Sequence, residues 1–213
     1  MFDPRRRSPL AHRAPIRAEN GAVSLAEWPF LTKVIIRCLA ERDVDVILRT
    51  TGMTLPTEPC SSFTLQNRSL LWLGPDEWML IAPDGEAECA KGALADELIE
   101  AYSQAVDVTD NYTMITLTGL RARDVLAKLV TIDLHPRHFA KGRVVGTLVA
   151  AANIVLWLRD ESDAAGPVFD ILVRSSMADY MWCLLAESGR EFGCPAQEPR
   201  AGEPMRGGLP AAA

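Results

Sequence analysis

No apolar run in this sequence approaches the ~18–20 residues that carry a helix across a bilayer, so no membrane association is expected. Histidine is scarce, with three in the chain, and the five cysteines (Cys38, Cys60, Cys89, Cys183, Cys194) are odd in number and without C-x-x-C spacing. Zinc centres and disulfide frameworks depend on such spacing. Most of these thiols sit beside apolar residues, as in IIRCLA and MWCLLA, and read as reduced cysteines filling core or surface positions. The dinucleotide fingerprint G-x-G-x-x-G, the P-loop pattern and the G-x-S-x-G nucleophile elbow are all missing. There is no surplus of positive charge either: 28 acidic residues face 22 basic ones, for a net charge of −6. Sequence-independent nucleic-acid binding runs on phosphate neutralisation by Lys and Arg, so that partner class is not expected. The opening MFDPRRRSPLAHRAPIR carries charge with no apolar core after it, unlike a secretory signal, and a cytoplasmic protein is expected.

What remains is an ordinary globular composition: 213 residues, 48% hydrophobic and 23% charged, enough to bury a substantial core. The ends differ from the middle. Residues 1–19 hold Arg5, Arg6, Arg7, Arg13 and Arg17 with three prolines and little apolar pattern, and read as an N-terminal arm. Residues 195–213, rich in Pro, Gly and Ala, have too little apolar surface to offset ordering and read as a disordered tail. The body divides into two lobes, 20–104 and 105–194.

The two halves follow one order of elements. In the first, TKVIIRCLAE (32–41) reads as a strand. DVDVILRTTG follows as a short helix with Asp43 as N-cap, an apolar stripe of Val44, Ile47 and Leu48, and Gly52 as its stop; because Val44, Val46 and Leu48 also alternate, a strand is the other option. SLLWLGPDEWMLIAP (69–83) is two apolar runs around Gly74-Pro75-Asp76-Glu77, a β-hairpin with Pro fixing φ at the turn. A helix over 90–103 aligns Leu94, Leu98, Ile99 and Tyr102. In the second half, 106–119 reads as a strand and 121–130 as an amphipathic helix. Residues 143–160 form one bent strand or two broken near the alanines; 168–176 is a strand with Phe169, Ile171 and Val173 on its apolar face. MADYMWCLLAES closes it as a helix, with Ser176-x-x-Asp179 resembling a capping box. The fold class is α+β, antiparallel sheets with helices packed on one face.

Candidates for chemistry are few. His135-Pro136-Arg137-His138 pairs two imidazoles, but Pro136 opposes a helical presentation and no acid or thiol cluster accompanies them. Asp76 and Glu77 sit in a tight turn, where solvated acids are expected. Asp107 and Asp110 flank a strand start, and Asp110 either caps a turn or binds something polar. Of the tryptophans, Trp28, Trp72, Trp157 and Trp182 read as core; Trp78, beside the hairpin turn, is a candidate anchor for a partner. The Arg run at 5–7 is either a solvated tail or an arm that docks an acidic neighbour.

LLWLGPDEWMLIAP resembles the signature of the gamma subunit of heterotetrameric sarcosine oxidase, and so does RSPL at 7–10. VDVTDNYTMITLTGLRARDVLAKLVTIDLHP is similar to that family's strand, Thr/Ser-Gly turn and Ala-rich helix, and FDILVRSSMADYMWCLL to its closing strand and helix. The likeness spans most of residues 7–190, and its second half extends to the folate-binding aminomethyltransferases, including the glycine-cleavage T-protein. It implies two antiparallel-sheet-plus-helix lobes related to the N-terminal part of the T-protein. It also implies a complex that demethylates sarcosine to glycine with O2, making hydrogen peroxide and, with tetrahydrofolate, methylenetetrahydrofolate. FAD, FMN, NAD, zinc and tetrahydrofolate are then expected in the partner alpha, beta and delta subunits, with no cofactor, metal or catalytic residue in this chain. The T-protein's Asp after the central helix has no counterpart in VAAANIVLWL, which counts against aminomethyl transfer; the alternative is a stand-alone folate-binding one-carbon carrier. Exposed-turn position marks Arg5, Arg6, Arg7, Pro75, Asp76 and Trp78 as candidates for the subunit interface.

Overall fold

The structure, a computed structural model, describes residues 6–18, 21–97 and 103–197. Two short strands, Ile16–Arg17 (β1) and Ser24–Trp28 (β2), precede the β-branched run Thr32–Arg37 (β3). Ala40–Thr51 then forms a helix (α1), which closes the strand option for this stretch; Gly52 ends it at φ 72°, its N–H donating to the Leu48 carbonyl. The start differs from expectation. Leu39 holds the N-cap position, and Asp43 lies inside the first turn, where its carboxylate accepts the Leu39 N–H at 3.0 Å. The Arg42 guanidinium, 2.7 Å away, holds Asp43 below the usual carboxylate range.

Ser62–Leu65 (β4), a strand the sequence did not announce, leads to Arg68–Gly74 (β5) and Glu77–Ala82 (β6), the expected hairpin around Pro75-Asp76. Ala87–Glu97 (α2) begins three residues ahead of the predicted helix; Leu98, Ile99 and Tyr102 fall outside the described residues. The single strand expected at 106–119 is two: Gln104–Asp107 (β7) and Tyr112–Thr118 (β8), separated by a 3₁₀ turn at Thr109–Asn111. The Asp107 carboxylate accepts the Thr109 N–H at 2.9 Å and turns the chain there. Ala122–Ala127 (α3) follows. Val144–Val149 (β9) and Ala152–Ser162 (β10) are broken at the alanines, with Ala150 at φ 49° in the turn. Gly166–Arg174 (β11) and Ala178–Ser188 (α4) complete the order. No side chain caps α4; Asp179 is drawn away by His12 and Arg13, each 2.7 Å off, so the capping-box expectation fails.

All strand pairs are antiparallel, in two sheets with the orders β4-β5-β6-β3-β7 and β1-β2-β8-β11-β10-β9. The first sheet packs Val34, Ile36, Leu70, Trp78 and Leu80 against Ile47 of α1 and Leu94 of α2. The second packs Leu117, Phe169 and Ile171 against Val125, Leu126, Met181 and Trp182 of α3 and α4. The sheets' other faces meet each other, Leu71, Met79 and Ile81 against Met114, Trp157 and Leu172. Four layers result, helices outside and two sheets within. Asp170, on the strand face expected to be polar, is therefore wholly buried.

The halves repeat one topology, β3-β6-β5-β4 in the first sheet and β8-β11-β10-β9 in the second. Each sheet also borrows from outside this repeat, β1 and β2 in the second sheet and β7 in the first. β2, from the first half, pairs with β8, and β7, which leads into the second half, pairs with β3. The sheets therefore do not follow the 20–104 and 105–194 division read from the sequence.

Candidate functional site

The hairpin tip is the most specific stretch of the sequence, and the structure divides its residues. Pro75 and Asp76 are exposed. Arg37 of β3 braces the tip from the side, its guanidinium 2.7 Å from Glu77 and 3.9 Å from Asp76, and the Asp76 carbonyl accepts the Cys38 N–H at 3.2 Å. Trp78 departs from the expected anchor role. It is 0% exposed, its ring lies in the core under α1, and its indole N–H donates to the Pro56 carbonyl at 2.7 Å. In a strand whose faces alternate, Trp78 shares the inward face with Leu80, so it packs the core and cannot anchor a partner.

The arm divides likewise. Arg5 lies outside the described residues, and Arg7 is exposed. Arg6 turns inward, pairing with Asp84 at 2.6 Å and Asp110 at 3.2 Å and lying 4.5 Å over the Phe30 ring. Asp110 thus meets a cation, and turn formation belongs to Asp107. Further along, Leu10 is buried in the second lobe's core and Arg13 reaches Asp179 of α4.

Two charged residues with no distinguishing local pattern in the sequence lie between the sheets. Lys33 is 1% exposed, its ammonium donating to the Leu31 carbonyl at 2.7 Å and the Thr109 carbonyl at 3.3 Å. Burial, with Arg6 nearby, pushes its pKa down to about 8. Asp170 accepts from Arg159 at 2.5 Å and from the Thr116 hydroxyl at 2.6 Å, yet burial still raises its pKa. Arg159 also lies 5.6 Å over the Trp28 ring, beside a cleft of about 430 Å³ between the sheets that Trp28, Asn67, Asp84, Met114 and Trp157 line. Only cross-strand register places Asp170 opposite Trp157 and brings Arg159 within reach, and register is not written in a single strand's pattern.

The other candidates stay apart. His135 and His138 sit in a loop, where the Asp133 carboxylate takes the His135 N–H, and among the described residues no three His, Cys, Asp or Glu side chains converge as metal ligands. The five cysteines are free thiols; burial pushes Cys38 up to about 12 and raises Cys183 and Cys194. What these residues offer is chiefly surface: an exposed hairpin tip, an arm that ties layers together, and apolar side chains open to solvent at Leu39, Leu48, Leu120 and Leu148.

Comparison with known proteins gives a consistent set. The sarcosine oxidase, gamma subunit family matches residues 44–191. A sarcosine oxidase subunit gamma from Corynebacterium sp. (strain P-1) is 32% identical over 203 residues, 92% of this chain and 94% of that protein. In a heterotetrameric sarcosine oxidase from Corynebacterium sp. U-96, solved in complex with pyrrole 2-carboxylate, one chain superposes with a TM-score of 0.79 at 30% identity, over 91% of this chain and 99% of that one. The glycine cleavage system aminomethyltransferase T from Bartonella henselae shares the fold at 16% identity and a TM-score of 0.58, over 82% of this chain and 47% of that one.

Proposed function

Because the chain belongs to the sarcosine oxidase gamma subunit family, we propose that it works as the non-catalytic gamma subunit of a heterotetrameric sarcosine oxidase. The observation that carries this is the end-to-end correspondence with a chain of the solved heterotetramer, 99% of which is covered. In the assembled enzyme, sarcosine is oxidatively demethylated to glycine with release of hydrogen peroxide and, with tetrahydrofolate, formation of methylenetetrahydrofolate. FAD, FMN, NAD, zinc and the folate are held by the alpha, beta and delta subunits. This chain contributes surface and shape, and the complex works in the cytoplasm; none of the described helices is long and apolar enough to cross a membrane.

The docking surface centres on the hairpin tip, Pro75 and Asp76, with Arg7 of the arm. Arg37 holds the tip in place before a partner arrives, which reduces the ordering cost of association. The experiment is purification of the tagged chain from its native host. Flavin-containing partners in equal stoichiometry are expected, and a chain that emerges alone and colourless refutes the assignment. Asp76→Lys should weaken recovery of those partners while leaving the unfolding curve of the purified chain in place. A second reading, a stand-alone tetrahydrofolate carrier, has the cleft between the sheets in its favour. Calorimetry of the chain with tetrahydrofolate separates the two, since micromolar binding supports the carrier and silence the subunit.

A further inference from the structure

Arg6 sits where three parts of the chain meet. Phe30, under its guanidinium, belongs to the connector between β2 and β3; Asp110 belongs to the connector between β7 and β8; Asp84 lies just beyond β6. The two connectors are the points at which the chain passes from one sheet to the other. Lys33 lies close by, bonded to the carbonyls of Leu31 and Thr109, one from each connector. Ser8 continues the same contact, donating its hydroxyl to Glu27, which also takes the Thr113 hydroxyl.

The arm is held by two kinds of force. Leu10 is 2% exposed in the apolar core, and salt does not loosen such an anchor. Arg6 is held by carboxylates 44% and 84% exposed, and pairs of that kind are weak and screened. We propose that residues 6–8 form a salt-releasable latch over the crossing of the two connectors, hinged at Leu10, whose opening bares Lys33. This does not depend on the subunit assignment, because every contact it uses lies within the chain.

The lysine inventory makes the test clean. The chain has four, and Lys91, Lys128 and Lys141 stand in solvent-facing ion pairs. Full-length chain, in the assembly in which it purifies, is pulsed with an amine-acylating ester, and modification at each lysine is read by peptide mass spectrometry. At low salt Lys33 should react at least about tenfold more slowly than the other three, because reaction waits on local opening. Raising salt to about 1 M, where the Debye length is about 3 Å, should speed Lys33 by about fivefold or more relative to the other three, whose exposed ion pairs set the reference for simple screening. Arg6→Ala should give that acceleration at low salt and abolish the salt response. Arg37→Ala, which breaks an ion pair of the same kind at the hairpin tip, should leave Lys33 slow. If Lys33 stays equally slow in wild type at high salt, or if Arg37→Ala and Arg6→Ala speed it alike, there is no latch. Because the wild-type salt response decides by itself, a variant that fails to fold does not protect the proposal.

Discussion

Lys33→Met should flatten the alkaline stability profile of this protein. A lysine whose pKa falls from 10.5 to about 8 on folding binds more protons in the unfolded chain than in the folded one between those values. Stability therefore rises with pH across that window: the penalty for burying the ammonium is fully present below pH 8 and relieved towards pH 10.5. At 1.36 kcal/mol per unit, the total is roughly 3 kcal/mol, of which about 2 kcal/mol should be recovered between pH 7 and pH 9.5. Methionine keeps most of the stem's packing and removes the charge. It leaves the Leu31 and Thr109 carbonyls without their donor, a cost that does not vary with pH and so cancels in the slope. The assay is urea unfolding of both proteins across that range at fixed ionic strength. Wild type should gain about 2 kcal/mol relative to the variant. Curves that run parallel would refute the burial argument, since they mean that Lys33 titrates alike in both states.

Further perturbations probe separate parts of the architecture. Trp78→Ala should cost about 3–5 kcal/mol, enough to threaten folding of a domain worth 5–15, and Trp78→Phe about 1–2 for the lost bond to Pro56; loss of partner recovery with an unchanged urea midpoint in Trp78→Phe would restore Trp78 to the interface. Arg159→Met strands Asp170 as an unpaired buried acid and should cost about 3–5 kcal/mol at neutral pH. Because Asp170 titrates above its usual value, this loss should shrink as the solution is made acidic and the carboxyl takes a proton, read by unfolding at pH 7 and pH 4.5. Gly119→Ala should prevent proper folding, because φ is +116° and a Cβ would lie 2.3 Å from the Ala22 carbonyl oxygen; an unaltered melting temperature contradicts that geometry.

Elements with strong local signals were readable. The Gly74-Pro75 turn, the Gly52 stop and the stripe Ala122, Val125, Leu126 each depend on residues within a few positions of one another. Features that depend on distant partners were not. β2 has a pale local pattern and exists because β8 accepts its hydrogen bonds. Trp78 was misplaced because it neighbours the hairpin turn, whereas its ring lies in the core under α1; Asp170 was misplaced by an assumption that a sheet has a wet face. Between two stacked sheets neither face is wet, so the polar residue of an alternating strand is as deeply buried as its neighbours. Asp179 likewise looked like a local cap because its true partners, His12 and Arg13, lie more than 160 residues away in sequence.

The mutual lending of strands has a price during synthesis. β2 leaves the ribosome early and has no sheet to join until β8 has been made, about 80 residues later; at 5–20 residues per second that is several seconds with an open edge. A gene cut just ahead of β7 would yield one fragment short of β7 and another short of β1 and β2, which mature only together, so reconstitution from pieces should be obligatory and slow, dominated by contacts remote in sequence.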